Sequence, residues 1–147
     1  MPIVLHVEDD EGDAHLVVRS LAQSACRVRI ARASDGNEAI KMLEDVENGQ
    51  RERPALILLD LRLPKVSGRE VLRRAKASPA LKDIPVVVFT SADGDEERIG
   101  CLEDGCDEYV PKPIDYTLFR AAVNSICKKY LLTLLDAEPA PQKVRVL

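Results

Sequence analysis

The sequence predicts an α/β fold with a doubly wound parallel sheet, and three observations lead to this prediction. Short apolar segments rich in β-branched residues, typical of buried strands, recur along the chain. Segments with apolar residues at helical spacing follow them, so strands and helices alternate five times. The connections are long enough to cross over the sheet, which makes neighbouring strands parallel and puts helices on both faces.

Five segments have the composition of strands. They span residues 3–7, 28–33, 55–59, 84–89 and 107–110. The third is the most apolar run in the first half of the chain and stops at Asp60, as expected of a central strand covered on both faces. The last helix is predicted over about 115–135. We therefore predict one domain over residues 1–135 and a short tail over 136–147.

Composition excludes several classes of protein. The net charge of −4 argues against a nucleic-acid-binding surface, which is normally basic. No apolar run approaches the ~20 residues that span a bilayer, and the N-terminus does not resemble a signal peptide. We expect a cytoplasmic protein that binds neither nucleic acid nor membrane. The cysteines show no CxxC pair or metal spacing, so we expect reduced, packed thiols at Cys26, Cys101, Cys106 and Cys127.

Acidic residues follow two strands that should be neighbours. Glu8 and Asp9 come after the first strand, and Asp60 comes after the third. In doubly wound sheets, ligands lie beyond the carboxyl ends of the strands. Carboxylates gathered there repel unless a cation separates them, and Mg²⁺ prefers such oxygen ligands. We interpret the nearby acids Asp10, Glu11 and Asp13 as solvated turn residues.

Two further strand ends carry matching groups. The fourth ends in Thr90–Ser91, where a hydroxyl can donate to a phosphoryl oxygen, and the fifth leads into Lys112, whose ammonium can reach the same pocket. Each alone is typical of a helix cap or a surface lysine. Together with Asp60 as a carboxylate nucleophile and with Mg²⁺, they predict phosphoryl transfer to Asp60.

These residues stand in motifs of a known family. The segments VEDD (7–10), ILLDLRLPKVSG (57–68), VVVFTSADG (86–94) and YVPKP (109–113) resemble the receiver domain of two-component response regulators over about 2–128. The resemblance implies a flavodoxin-like, CheY-like (βα)5 fold with strand order 2-1-3-4-5. It also implies a single-domain regulator that takes a phosphoryl group from a sensor histidine kinase and catalyses only its own phosphorylation and dephosphorylation.

The resemblance assigns a role to each site residue. Asp60 would be the phospho-acceptor, and Glu8, Asp9, Asp60 and the backbone carbonyl of Arg62 would bind Mg²⁺. A second group of residues would respond to the phosphoryl group. Thr90 and Lys112 would contact it, Tyr109 would move inward with Thr90, and the Lys112–Pro113 bond would be cis.

The stretch 58–92 is similar to a narrower group, the small regulators partnered with bacterial phytochrome histidine kinases. Two residues depart from the commoner receiver pattern. Ser91 stands where many receivers have Ala or Gly, and the Arg62 side chain can lie over the phosphoryl site. We expect both to alter the lifetime of the aspartyl phosphate.

The signal should leave through the surface of helix 4, strand 5 and helix 5. In the last helix, Phe119, Ala122, Val123, Ile126 and Tyr130 form a face that should pack on the sheet. Apolar residues beyond that face predict a homodimer or, alternatively, a tail folded back over them. They are Leu118, Leu131, Leu132, Leu134 and Leu135.

Three other functions fit the sequence less well. An unphosphorylated pseudo-receiver that only binds proteins would be expected to lack Asp60, Lys112 or the acidic pair. A Mg²⁺-dependent phosphatase with an Asp nucleophile would carry a second Asp at the position of Arg62. A flavin-binding domain would need a Ser/Thr/Gly-rich loop after the first strand, where this chain has EDDEGD.

Overall fold

A computed structural model describes residues 1–92, 94–131 and 144–147. Strands and helices alternate along the chain, and the elements are numbered in chain order. They are β1 (Ile3–Val7), α1 (Glu11–Ala22), β2 (Val28–Ala33), α2 (Gly36–Glu47), β3 (Leu56–Leu59), α3 (Gly68–Ala77), β4 (Val86–Thr90), α4 (Asp95–Glu103), β5 (Glu108–Pro111), α5 (Tyr116–Tyr130) and β6 (Val144–Val146). The predicted α/β class is confirmed.

The strands form one parallel sheet in the order β5-β4-β3-β1-β2-β6. The predicted order 2-1-3-4-5 is contained in it. The prediction of five strands was wrong by one, because β6 adds a parallel edge strand beside β2. A three-residue VRV segment is too short to show strand periodicity in the sequence.

The core has two layers, one on each face of the sheet. Alternate residues of each strand point to opposite faces, so Leu5 and Val7 pack on one side and Val4 on the other. The first layer is closed by α2, α3 and α4, and the second by α1 and α5. As predicted, Phe119, Val123 and Ile126 are buried against the sheet.

Three of the four strand-to-helix loops that bear on the site have a polar cap at the helix start. Asp10, Ser67 and Asp115 accept hydrogen bonds from the backbone N–H groups three residues ahead in α1, α3 and α5. Gly68 begins α3 against the loop after β3. A Cβ there would lie 2.5 Å from the carbonyl oxygen of Asp60, so only glycine permits this close approach.

The cysteines differ from the prediction. Cys26 and Cys127 are joined in a disulfide, with Cα atoms 6.3 Å apart, whereas Cys101 and Cys106 are free and buried. Sequence spacing did not reveal the pair because its members are 101 residues apart. They meet where the chain leaving α1 packs against the last turn of α5.

Two further expectations need correction. Every peptide bond in the described ranges is trans, including Lys112–Pro113, which was predicted to be cis. The two isomers of an X–Pro bond differ by only about 0.5–1 kcal/mol, so a family resemblance alone does not decide between them. Leu131 is buried in the layer beneath α1 and α5 and is not a surface residue. Leu132, Leu134 and Leu135, like most of the predicted tail, lie outside the described residues.

Candidate functional site

The carboxyl ends of four strands meet at one edge of the sheet. Val7 of β1 pairs with Leu59 of β3, so Glu8 and Asp60, the next residues of the two strands, lie side by side. Thr90 is the last residue of β4, and Lys112 follows β5. Strand order therefore brings together groups that are up to 104 residues apart in the sequence.

Three carboxylates form a cluster that could hold a metal ion. Glu8, Asp9 and Asp60 each offer an oxygen, and these oxygens lie within 4.8 Å of one another. Glu8 and Asp60 are buried and Asp9 is exposed, so the cluster opens to solvent on one side. Carboxylate oxygens at this spacing suit a hard divalent cation, and the residues present therefore fit Mg²⁺.

Asp60 is held by three donors. The Thr90 hydroxyl donates to its Oδ1 at 2.8 Å, and the backbone N–H of Arg62 donates to the same oxygen at 3.1 Å. The ammonium of Lys112 lies 3.0 Å from Oδ2. Thr90 and Lys112, which were predicted to contact the phosphoryl group, thus contact Asp60 itself, and Arg62 contacts it through its backbone N–H. The predicted role of the Arg62 carbonyl as a metal ligand remains a prediction.

Lys112 contacts three carboxylates at once. Its Nζ donates to Glu8, to Asp13 at 2.8 Å and to Asp60 at 3.0 Å, and its side chain is 6% exposed. The interpretation of Asp13 as a solvated turn residue was wrong. Asp13 lies in the first turn of α1, which begins at the same edge of the sheet as the carboxylates. Its position in the first turn of the helix that follows the first strand was the feature of the sequence that could have predicted its contact with Lys112.

Arg32 is a second residue that the sequence analysis did not identify. It lies in β2, and its guanidinium donates to the backbone carbonyl oxygens of Glu8 at 3.0 Å and Asp9 at 3.3 Å. It also pairs with Glu11 at 3.1 Å. Arg32 thus fixes the backbone of the acidic loop. The basic residues that alternate in the second strand were the signal that one of its faces carries charge.

Burial and close charges shift the pKa values of the site. Burial, followed by the contact with Asp60, raises the pKa of Glu8 to about 8. Burial also works to raise the pKa of Asp60, but the hydrogen bond with Glu8 and the charge of Lys112 together hold it below its usual value. For Lys112, the hydrogen bonds to Asp13 and Glu8 outweigh burial, and the pKa lies above its usual value.

The predicted switch residue lies close to this site. Tyr109 of β5 is half-buried, and its hydroxyl donates to the carbonyl of Ala92, in the loop that follows Thr90. Ser91 and the Arg62 side chain are exposed. The backbone N–H of Ala92 also donates to the Thr90 hydroxyl at 3.2 Å. A movement of Thr90 would therefore shift the loop at Ala92, which Tyr109 contacts.

Exposed apolar side chains flank β5. Ile99 and Leu102 of α4, Ile114 before α5 and Leu118 within α5 are all exposed. Leu118 is thus the one predicted dimer residue that the described ranges leave at the surface.

Within the described ranges, no helix has both the length and the apolar character needed to cross a membrane.

Known proteins resemble the chain in sequence. The family model described as the response regulator receiver domain matches residues 4–124. The probable methanogenesis regulatory protein FilR2 of Methanothrix harundinacea is 38% identical over 130 residues, which are 88% of this chain and 83% of FilR2. Response regulator Rcp1 of Synechocystis is 40% identical over 113 residues, 75% of this chain and 76% of Rcp1.

Solved structures agree with the sequence comparisons. The Mn²⁺-bound form of Rcp1 superposes with a TM-score of 0.84 at 35% identity, covering 95% of this chain and all of that one (100%). The phosphorylated cyanobacterial phytochrome response regulator RcpA has a TM-score of 0.84 at 33% identity, with 93% and 99% covered. The chain spans only 26% of another relative, PleD of Caulobacter vibrioides. The sequence match and the shared fold show that this chain belongs to the response regulator receiver family.

Proposed function

We propose that this response regulator accepts a phosphoryl group from a histidine kinase on Asp60, in a Mg²⁺-dependent reaction. The observation that carries the proposal is the set of contacts around one buried carboxylate. Asp60 meets a hydroxyl at 2.8 Å and an ammonium at 3.0 Å, and one of its oxygens lies within 4.8 Å of an oxygen from each of two other acids. Each group has a defined use in phosphoryl transfer.

Asp60 is the nucleophile in the proposed reaction. One of its oxygens attacks the phosphorus of a phosphohistidine, a P–O bond forms, and the P–N bond breaks with its electron pair passing to the imidazole nitrogen. The pKa of Asp60 lies below its usual value, so the carboxylate is ionised near neutral pH and needs no general base. The chain would catalyse only its own phosphorylation and dephosphorylation.

The acidic cluster supplies the metal ligands. Glu8, Asp9 and Asp60 would bind Mg²⁺, with the Arg62 carbonyl as a further ligand. When bound, Mg²⁺ neutralises charge on the oxygens of the transferring group. Two findings support this part of the proposal: the spacing of the three carboxylates, and the existence of a Mn²⁺-bound form of the related Rcp1.

Lys112 and Thr90 would stabilise the phosphoryl group, and Thr90 would also transmit its presence to the neighbouring loop. The Lys112 ammonium, already 3.0 Å from Asp60 Oδ2, would pair with a phosphoryl oxygen, and the Thr90 hydroxyl would donate to another. A phosphoryl group adds charge and acceptor oxygens at Asp60. Thr90 would follow it and shift the loop at Ala92, which Tyr109 contacts. The surface of α4, β5 and α5 would change in response.

That surface is the proposed output of the protein. It carries the exposed apolar residues Ile99, Leu102, Ile114 and Leu118, which suit a protein partner or a homodimer. The proposed upstream partner is a phytochrome-type histidine kinase. Support for this choice comes from RcpA and from the bacteriophytochrome response regulator RtBRR, which is 34% identical and has a TM-score of 0.77.

Chemical mapping tests the phosphorylated residue. The protein is incubated with phosphoramidate and Mg²⁺, and then with hydroxylamine, which converts an acyl phosphate into a hydroxamate. Mass spectrometry of the peptides should find the hydroxamate at Asp60 and nowhere else. A hydroxamate at Asp9 or Asp10 would place the reaction elsewhere. The absence of any hydroxamate, in protein shown to bind Mg²⁺, would favour an unphosphorylated binding module.

A further inference from the structure

Lys112 has one carboxylate partner that belongs to neither the phosphorylation site nor the metal cluster. Its ammonium has three N–H donors, and three carboxylates accept from it. Glu8 and Asp60 are members of the acidic cluster. Asp13 is not, because the oxygens that lie within 4.8 Å of one another come from Glu8, Asp9 and Asp60.

The side chain of Asp13 is free to serve Lys112 because the start of α1 does not depend on it. The helix is capped by Asp10, whose Oδ1 accepts from the backbone N–H of Asp13 at 2.8 Å. The Asp13 side chain is 34% exposed, whereas the Lys112 side chain is 6% exposed. Asp13 therefore lies over the ammonium from the solvent side.

We propose that Asp13 is a positioning residue that holds the Lys112 ammonium over Asp60 during phosphorylation; this rests on the function proposed above. A divalent cation held by Glu8 and Asp60 would compete with the ammonium for their negative charge and would weaken both of its contacts there. Asp13 lies outside that competition and keeps Lys112 oriented. The ammonium already reaches Asp13 and Asp60 simultaneously, at 2.8 and 3.0 Å, so the two contacts are compatible.

Replacing Asp13 separates positioning from simple charge. Asp13→Asn removes one negative charge near the site, and through charge alone it would speed the reaction with an anionic donor such as phosphoramidate. Loss of positioning would slow it. At saturating Mg²⁺ we expect the rate constant of Asp13→Asn to fall by about fivefold, because the ammonium loses its fixed orientation. Asp13→Glu keeps a carboxylate within reach and should restore the rate to within about twofold.

Glu11→Gln is the matched control. Glu11 is also in the first turn of α1, so its replacement removes the same charge from the same helix end. Its side chain is 88% exposed and pairs with Arg32, not with Lys112. The control should phosphorylate at the wild-type rate to within about twofold, because it leaves the ammonium untouched.

A second readout does not depend on phosphorylation. The full chain is treated with acetic anhydride, and modification of Lys112 is followed by peptide mass spectrometry. We expect Lys112 to be labelled at least about threefold faster in Asp13→Asn than in wild type, since one of its three carboxylate contacts is gone. Labelling in Glu11→Gln and Asp13→Glu should match wild type.

The two readouts distinguish the possible failures. Slower phosphorylation and faster labelling, both confined to Asp13→Asn and reversed in Asp13→Glu, support the proposal. Unchanged labelling of Lys112 overturns it, whatever the phosphorylation rate does, and so does an unchanged or faster phosphorylation rate. If no variant is phosphorylated, wild type included, the proposed function fails, and with it the part of the inference that concerns the reaction. The labelling then still decides whether Asp13 holds Lys112.

Discussion

The hydroxyl of Thr90 donates a hydrogen bond to Oδ1 of Asp60 across 2.8 Å, so the end of β4 contacts the residue that follows β3. Thr90 is fully buried, and the same hydroxyl accepts from the backbone N–H of Ala92. One side chain thus connects the proposed phosphorylation site to the loop before α4. This contact is one route by which a change at Asp60 could reach the surface of α4, β5 and α5.

Removing the Thr90 hydroxyl should slow the phosphorylation of Asp60 and weaken the transmission of its effect to the loop before α4. In Thr90→Val, which conserves shape, we expect phosphorylation by phosphoramidate to slow roughly tenfold, because a donor to the transferring group is lost. Thr90→Ser keeps the donor and should stay within about threefold of wild type. Phosphorylation rates from intact mass would measure the effect. Equal rates in Thr90→Val and wild type would show that the hydroxyl does not act on the phosphoryl group.

Lys112 neutralises a buried acidic pair, and its replacement should be costly without metal. In Lys112→Met we expect the free energy of unfolding to fall by about 3 kcal/mol in the absence of Mg²⁺, because Glu8 and Asp60 lose their counter-charge. Mg²⁺ should stabilise the variant more than wild type, since cation and ammonium serve the same carboxylates. Urea unfolding with and without Mg²⁺ measures both effects.

The control for that experiment is an exposed lysine. Lys129 pairs with Glu108 at 3.0 Å, but its side chain is 62% exposed. Lys129→Met should therefore change the free energy of unfolding by less than about 1 kcal/mol. If Mg²⁺ stabilised Lys112→Met and wild type equally, the ammonium and the cation would not share a site.

His6 should make the protein less stable as the pH falls. Burial, assisted by the charges of Lys112 and Arg32, lowers the pKa of His6 from 6.5 to about 3. Between these values the unfolded chain binds a proton that the folded chain does not, so the free energy of unfolding decreases as the pH is lowered through this window. Glu8 has the opposite effect, because its pKa is raised from 4.5 to about 8. Between these two values its contribution to the free energy of unfolding increases as the pH is lowered.

The effect is therefore measured as a difference between variants. His6→Leu removes the titrating group, and its stability relative to wild type should rise by about 2 kcal/mol between pH 7 and pH 5. Urea unfolding at the two pH values measures this. His15, the other histidine, is exposed on α1, and His15→Leu serves as the control. A pH-independent difference for His6→Leu would contradict the assignment.

The disulfide should stabilise the fold. Cys26 and Cys127 close a loop across 101 positions, and such a bond typically contributes about 2–4 kcal/mol. Reduction with dithiothreitol should lower the free energy of unfolding by that amount in wild type and in Cys106→Ala, but not in Cys127→Ala. Equal stability with and without reductant, with four free thiols in the unfolded protein, would show that the bond does not form.

The sequence predicted the alternation of strands and helices, and with it the edge where Glu8, Asp60, Thr90 and Lys112 meet. This worked because strand ends in parallel sheets share one edge, so position in the sequence translates directly into position at the site. Asp13 and Arg32 were missed because their roles depend on where the long side chains of Lys112 and Arg32 point. Side-chain direction within a turn or at the end of a strand is decided by packing, which periodicity does not report.

The other errors have a similar origin. The Cys26–Cys127 bond and β6 both depend on contacts between segments that are far apart along the chain. Leu131 looked like part of an exposed apolar helix end, but packing between α1 and α5 buries it. Local patterns do not carry such information, because the same residue is a core or a surface residue according to what folds over it.

Phosphorylation of Asp60 is tested first by the intact mass of wild type and Asp60→Asn after incubation with acetyl phosphate, with and without Mg²⁺. We expect one phosphoryl adduct on wild type with Mg²⁺, and none without the metal or in Asp60→Asn. An adduct of equal yield on Asp60→Asn, or on wild type stripped of divalent cations, would contradict it.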